Sequence, residues 1–142
     1  QEVDVLGFSM GGAIASLVCN YKPIRRLLLW SPAADLAINL RRRYDNNEKD
    51  ENGNIYSPAF PLSEALVKSM EKYDFYSEAS KFLGKVFIIH GRNDKAVDYL
   101  CSARYATRFP NANLHIIDGA GHGYDEKSSF NELMAKSVDF LK

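Results

Sequence analysis

The 142 residues suit one domain, long enough to bury about 68–70% of the surface of its unfolded chain. Lys+Arg 18 and Asp+Glu 18 cancel to a net charge of +0, which argues against capture of nucleic acid or anionic membrane by bulk electrostatics. No apolar run approaches the about 18 residues of a membrane span, and the first residues lack the basic-then-apolar layout of a secretory leader.

In chain order, Val3, Val5, Leu6 and Phe8 predict a buried strand. It runs into Gly7-Phe8-Ser9-Met10-Gly11, a G-x-S-x-G turn that holds a serine out at a strand's end, with Gly7 and Gly11 expected to lack side chains so that backbone can approach. A helix is predicted over residues 11–21 from the spacing of Ala13, Ile14, Leu17 and Val18, and Pro23 ends it. The continuous run Leu27-Leu28-Leu29-Trp30 predicts a strand covered on both faces, so strand, helix and strand form a βαβ unit and the sheet is parallel.

Residues 33–83 break the pattern and read as a cap-like insertion. Arg41, Arg42 and Arg43 with the acidic stretch after them suggest a solvated face. Ser63 is a candidate N-cap for a helix using Leu66, Val67, Met70 and Tyr73. The aromatics Tyr44, Tyr56, Phe60, Tyr73, Phe75 and Tyr76 either glue the insertion to the body or line an apolar pocket. Beyond it, strands are predicted over residues 85–90 and 113–118, and helices over 97–109 and 128–141. Cys19 and Cys101 fall inside helical runs as small buried residues, which predicts a reducing, cytoplasmic setting and no disulfide framework.

A serine nucleophile needs a base, and the base needs a carboxylate to fix its tautomer. Asp94 and His122 each follow a later predicted strand, and in a parallel sheet the carboxyl ends of strands share one edge, so Ser9, Asp94 and His122 can converge there. The helix starting after Ser9 aims its unpaired N–H groups at the same place, which makes the Met10 N–H an oxyanion donor; Phe8 beside the serine is assigned to substrate binding. His90 and His115 are read as structural, and Asp98 and Asp118 as fallback acids. No His, Cys or Glu cluster has metal spacing and no dinucleotide-type glycine pattern follows, so no metal or cofactor is implied.

With Gly7-Phe8-Ser9-Met10-Gly11-Gly12, the His90-Gly91-Arg92-Asn93-Asp94-Lys95-Ala96-Val97 stretch and Gly119-Ala120-Gly121-His122-Gly123, the chain resembles the α/β-hydrolase superfamily from its nucleophile elbow onward. It is similar to the serine-aminopeptidase-like branch with its monoacylglycerol lipases, and to cinnamoyl/feruloyl esterases. The resemblance implies a partial α/β-hydrolase fold with a parallel sheet of about four strands, and a serine hydrolase acting on a small-molecule carboxylic ester. A peptidase or thioesterase of the same fold, and a non-catalytic fragment with an assembly role, are the alternatives. The strands that precede the elbow in the superfamily, and the second oxyanion donor they carry, are missing from the chain. Val3–Phe8 is therefore expected to be an exposed apolar edge, which predicts a homodimer or an aggregation-prone chain.

Overall fold

The computed structural model describes residues 2–56 and 61–142. Its sheet has four parallel strands in the order β1-β2-β3-β4: β1 (Val3–Phe8), β2 (Ile24–Trp30), β3 (Lys85–Gly91) and β4 (Ala112–Ile117). The helices are α1 (Met10–Val18), α2 (Leu36–Asp45), α3 (Glu64–Met70), α4 (Phe75–Ala79), α5 (Tyr99–Ala106) and α6 (Lys127–Leu141). Among the described residues no helix is long and apolar enough to cross a membrane.

Alternation along β2 decides what lies on each face of the sheet. Leu27 and Leu29 point to one side and meet Ala15 of α1 and Cys19 just past its end, Ala79 of α4, and Cys101 and Tyr105 of α5, together with Val86 and Ile88 of β3. Leu28 points to the other and meets Ile89, Ile117, Tyr124 and Leu133 of α6, with Trp30, Phe87 and Phe140 half-buried beside them. The three leucines have no exposed surface, and each contributes about 1.5–3 kcal/mol by leaving water. Helices on both faces account for the unbroken apolar run that marks this strand in the sequence.

Among the described residues β1 lies at the edge and pairs only with β2. Its Val3, Leu6 and Phe8 are exposed. Asp4 stands among them, gripped by both Arg25 (2.9 and 2.6 Å) and Arg26 (3.2 and 2.8 Å), and Arg26 in turn donates to the carbonyls of Phe140 and Leu141 at the end of α6. These two guanidinium groups hold the Asp4 carboxyl well below the usual carboxylate range.

The chain divides into two compact units, Gln1–Ala34 with Phe75–Lys142, and Asp35–Asp74. The second unit is shorter than the 33–83 read from the sequence, because Ala34, Ala79 and Phe82 are buried in the cluster over β2 and β3. Within it, Tyr44, Ile55, Leu62 and Val67 make a separate small core, closed by the Ile55–Leu62 bridge. Ser63 caps α3 by accepting from the Leu66 N–H at 3.2 Å, as its position suggested. α3 stops at Met70, so Tyr73 falls beyond it. The arginine run belongs to α2; Arg42 and Arg43 are exposed, but Arg41 clasps Glu71 with two hydrogen bonds of 2.8 and 2.9 Å. Phe60 lies outside the described residues.

Candidate active site

Ser9 sits between the last residue of β1 and the first of α1, at φ 55° and ψ −122°. A non-glycine residue in this region is strained by about 1–3 kcal/mol and persists only where its surroundings impose it. Here they do: the Ser9 N–H donates to the Trp30 carbonyl at 2.9 Å, and its carbonyl accepts from Gly12 (3.0 Å), Ala13 (3.3 Å) and Ala33 (3.0 Å). The turn requires Gly7, where a Cβ would lie 2.6 Å from the Gly11 carbonyl oxygen and 2.7 Å from the Gly12 Cα. The sequence reading paired Gly7 with Gly11, and the structure corrects this. A Cβ on Gly11 would meet nothing within 4 Å, whereas one on Gly12 would stand 3.0 Å from the Cα and Cβ of Pro32. The motif's second close approach is therefore between α1 and the turn after β2.

Asp94 follows β3 with its side chain fully buried. Oδ1 accepts the N–H groups of Ala96 and Val97, both at 2.8 Å, and Oδ2 accepts from His122 Nδ1 at 2.6 Å. Burial pushes the carboxyl's pKa up, but the Val97, His122 and Ala96 donors outweigh it and hold the group below its ordinary value. His122 follows β4, and its Nε2 lies 3.0 Å from Ser9 Oγ. The three residues named from the sequence thus lie at the carboxyl edge of the sheet, with His122 within hydrogen-bond distance of both Ser9 and Asp94. Phe8 stacks beside the histidine, ring centroids 5.0 Å apart, and Met10 opens α1 with an N–H that has no intrahelical acceptor.

The fallback residues are engaged elsewhere. Asp98 caps α5 by accepting from Leu100 N–H at 2.9 Å, and Asp118 pairs with Arg92. His115 bonds Glu132 of α6 at 2.6 Å.

Two further residues support the site: Tyr124, on which the sequence is silent, and His90, whose structural role is expected from it. The first is Tyr124, buried and at φ 52°, whose hydroxyl donates to the Ile89 carbonyl at 3.1 Å and accepts from Ser31 Oγ at 2.8 Å. It ties the His122 loop to the ends of β2 and β3, and burial pushes its pKa up to about 12. Gly91 lets the same loop pass, since a Cβ there would lie 2.8 Å from the Ala120 carbonyl carbon. The second is His90, with no exposed surface, which reaches Asp94 Oδ2 at 3.1 Å. Its signal was the four-residue spacing to Asp94 at the end of a core strand.

No sequence-family profile matches the chain. Among solved structures it is similar to Est1E from Butyrivibrio proteoclasticus, at 23% identity and TM-score 0.79, over 99% of this chain and 60% of that one. Est1E has also been solved with ferulic acid bound. Mouse alpha/beta hydrolase domain-containing protein 10 aligns at 18% identity and TM-score 0.73, over 96% and 60% of the two chains. The monoacylglycerol lipase of Paleococcus ferrophilus aligns at 17% and 0.70, over 96% and 66%. The chain has a partial α/β-hydrolase fold and spans about 60% of the length of the Est1E structure.

Proposed function

We propose that the protein is a serine hydrolase that cleaves carboxylic esters of small molecules through an acyl-enzyme. The observation that carries this reading is the unbroken relay Ser9 Oγ, His122 Nε2 at 3.0 Å, His122 Nδ1, Asp94 Oδ2 at 2.6 Å. In this reading His122 Nε2 takes the Ser9 proton as Oγ attacks the ester carbonyl, and the buried Asp94 carboxylate keeps the other ring nitrogen protonated. The Met10 N–H at the start of α1 faces the developing oxyanion; loss of a single such donor costs about 10²–10³ in turnover. His122 then gives its proton to the departing alcohol. Water, activated by the same nitrogen, attacks the acyl carbon and frees Ser9 as the carboxylic acid leaves. The ester class is favoured over peptides and thioesters by the names of the similar structures, an esterase domain and a monoacylglycerol lipase among them.

The test is a p-nitrophenyl short-chain ester assay with rapid mixing, together with fluorophosphonate labelling. The expected result is a burst of p-nitrophenol and a label on Ser9, both lost in Ser9→Ala. Turnover that survives Ser9→Ala undiminished, or a label on another residue, overturns the assignment.

A further inference from the structure

We infer that His90 is a positioning residue for the Asp94 carboxylate, acting as a neutral donor whose proton is located by Ser102 of α5; this rests on the Ser9, His122 and Asp94 reading above. His90 Nε2 lies 3.1 Å from Asp94 Oδ2 and 3.0 Å from the Val97 carbonyl oxygen, and both neighbours only accept. Nε2 therefore carries a proton and shares it between them. On the other side, Nδ1 lies 2.7 Å from Ser102 Oγ. Both His90 and Ser102 have no exposed surface, and a charged imidazolium here would lose its hydration. Burial accordingly holds His90 below its ordinary pKa against the opposing pull of the Val97 carbonyl and Asp94. A neutral ring with Nε2–H has a bare lone pair on Nδ1, so the Ser102 hydroxyl donates to it.

The chemistry of that choice matters for the relay. Asp94 Oδ2 receives two imidazole N–H groups, from His122 at 2.6 Å and from His90 at 3.1 Å. A cation in place of His90 would neutralise the carboxylate and remove its attraction for a charged His122. A neutral donor instead fixes the plane of the carboxylate and leaves its charge to His122. The same N–H, shared with the Val97 carbonyl, closes the turn in which the Ala96 and Val97 N–H groups hold Oδ1. Asp94 is thereby constrained at both oxygens, and α5, which touches no reacting atom, contributes to the aim of the catalytic imidazole through Ser102.

The test uses 15N-histidine NMR on the whole chain, whose three histidines make assignment by substitution direct. Expected in the wild type are a neutral His90 in the Nε2–H tautomer and a low-field resonance for the proton between His122 and Asp94. His90→Leu should shift or abolish that resonance, and His90→Gln, which keeps an N–H near the Nε2 position, should restore it. With the ester substrate, His90→Leu should lower kcat by about ten- to a hundredfold with KM within about twofold, and His90→Gln should recover most of the loss. An Nδ1–H tautomer in the wild type, a resonance unmoved in a folded His90→Leu chain, or a glutamine variant no better than leucine overturns the inference. If His90→Leu does not fold, the wild-type tautomer and the same resonance in Ser102→Ala, expected to shift, still decide it. Absence of esterase turnover would count against the hydrolase reading alone, because the NMR readouts are independent of activity.

Discussion

Placing a methyl group at either of two glycines four residues apart tests the elbow's geometry. Alanine at Gly7 would put its Cβ 2.6 Å from the Gly11 carbonyl oxygen, 2.7 Å from the Gly12 Cα and 2.9 Å from the Ala15 Cβ. None of these atoms is the free end of a flexible side chain, so α1 must move off β1 by about 0.5–1 Å, and overpacking of this kind costs about 1–3 kcal/mol. Gly11 lies inside α1 with nothing within 4 Å of its virtual Cβ, so alanine there should stabilise by up to about 1 kcal/mol through helix propensity. The two variants should differ by about 1–4 kcal/mol, which at a urea m-value of about 1–3 kcal/mol/M separates their midpoints by roughly 0.3 M or more. Displacement of α1 also carries Ser9 away from His122, so ester turnover should fall about a hundredfold in Gly7→Ala and little in Gly11→Ala. Equal midpoints, or a Gly11→Ala chain less stable than Gly7→Ala, would refute the assignment of the close approach to Gly7.

Other expectations follow from the same contacts. Asp98→Asn and Asp118→Asn should leave ester turnover within a few-fold of wild type while Asp94→Asn lowers it by orders of magnitude; a large loss at either of the first two would move the acid's role. Because burial keeps His90 neutral, the folded chain binds fewer protons than the unfolded one, so this contribution is present above about pH 6.5 and is lost as pH falls below it. Urea midpoints should therefore drop between pH 7 and pH 5, less steeply in His90→Gln; equal slopes would remove His90 from the acid response. The exposed β1 edge should drive self-association detectable by light scattering after size-exclusion chromatography, and Leu6→Lys should reverse it. A dilution-resistant monomer with β1 amides strongly protected from hydrogen exchange would contradict this.

The parts legible in the sequence are those set by local periodicity and by motif chemistry. The four strands and the main helices of the sheet unit announce themselves because each buries one or both faces, and Ser9, Asp94 and His122 because each follows a strand. α2 is obscured in the sequence although Leu36, Leu40 and Tyr44 recur at helical spacing, because three consecutive arginines dominate the stretch. Helix 97–109 shrank to Tyr99–Ala106, since Asp98 caps it and Thr107 ends it. Gly12 and Tyr124 owe their roles to neighbours distant in sequence, Pro32 for the first and Ser31 with the carbonyl of Ile89 for the second, and the Ser102 partner of His90 lies on another element. Periodicity carries no record of such pairs.

The long insertion also bears on how the chain finds its fold. β1 reaches β2 through α1, and β3 reaches β4 through α5, both by short connections, whereas the central pairing of Arg26 with Lys85 through Trp30 with Ile89 joins segments far apart in sequence. Closing a loop of about fifty residues costs roughly 1 kcal/mol more than closing one of about fourteen. A segment that condenses early on Tyr44, Ile55, Leu62 and Val67 removes much of that difference by shortening the chain still to be ordered. Two βαβ halves would then form first, with the β2–β3 seam last. Since Ser9 follows β1 while Asp94 and His122 follow β3 and β4, Ser9 comes within hydrogen-bond distance of His122 only when that seam closes.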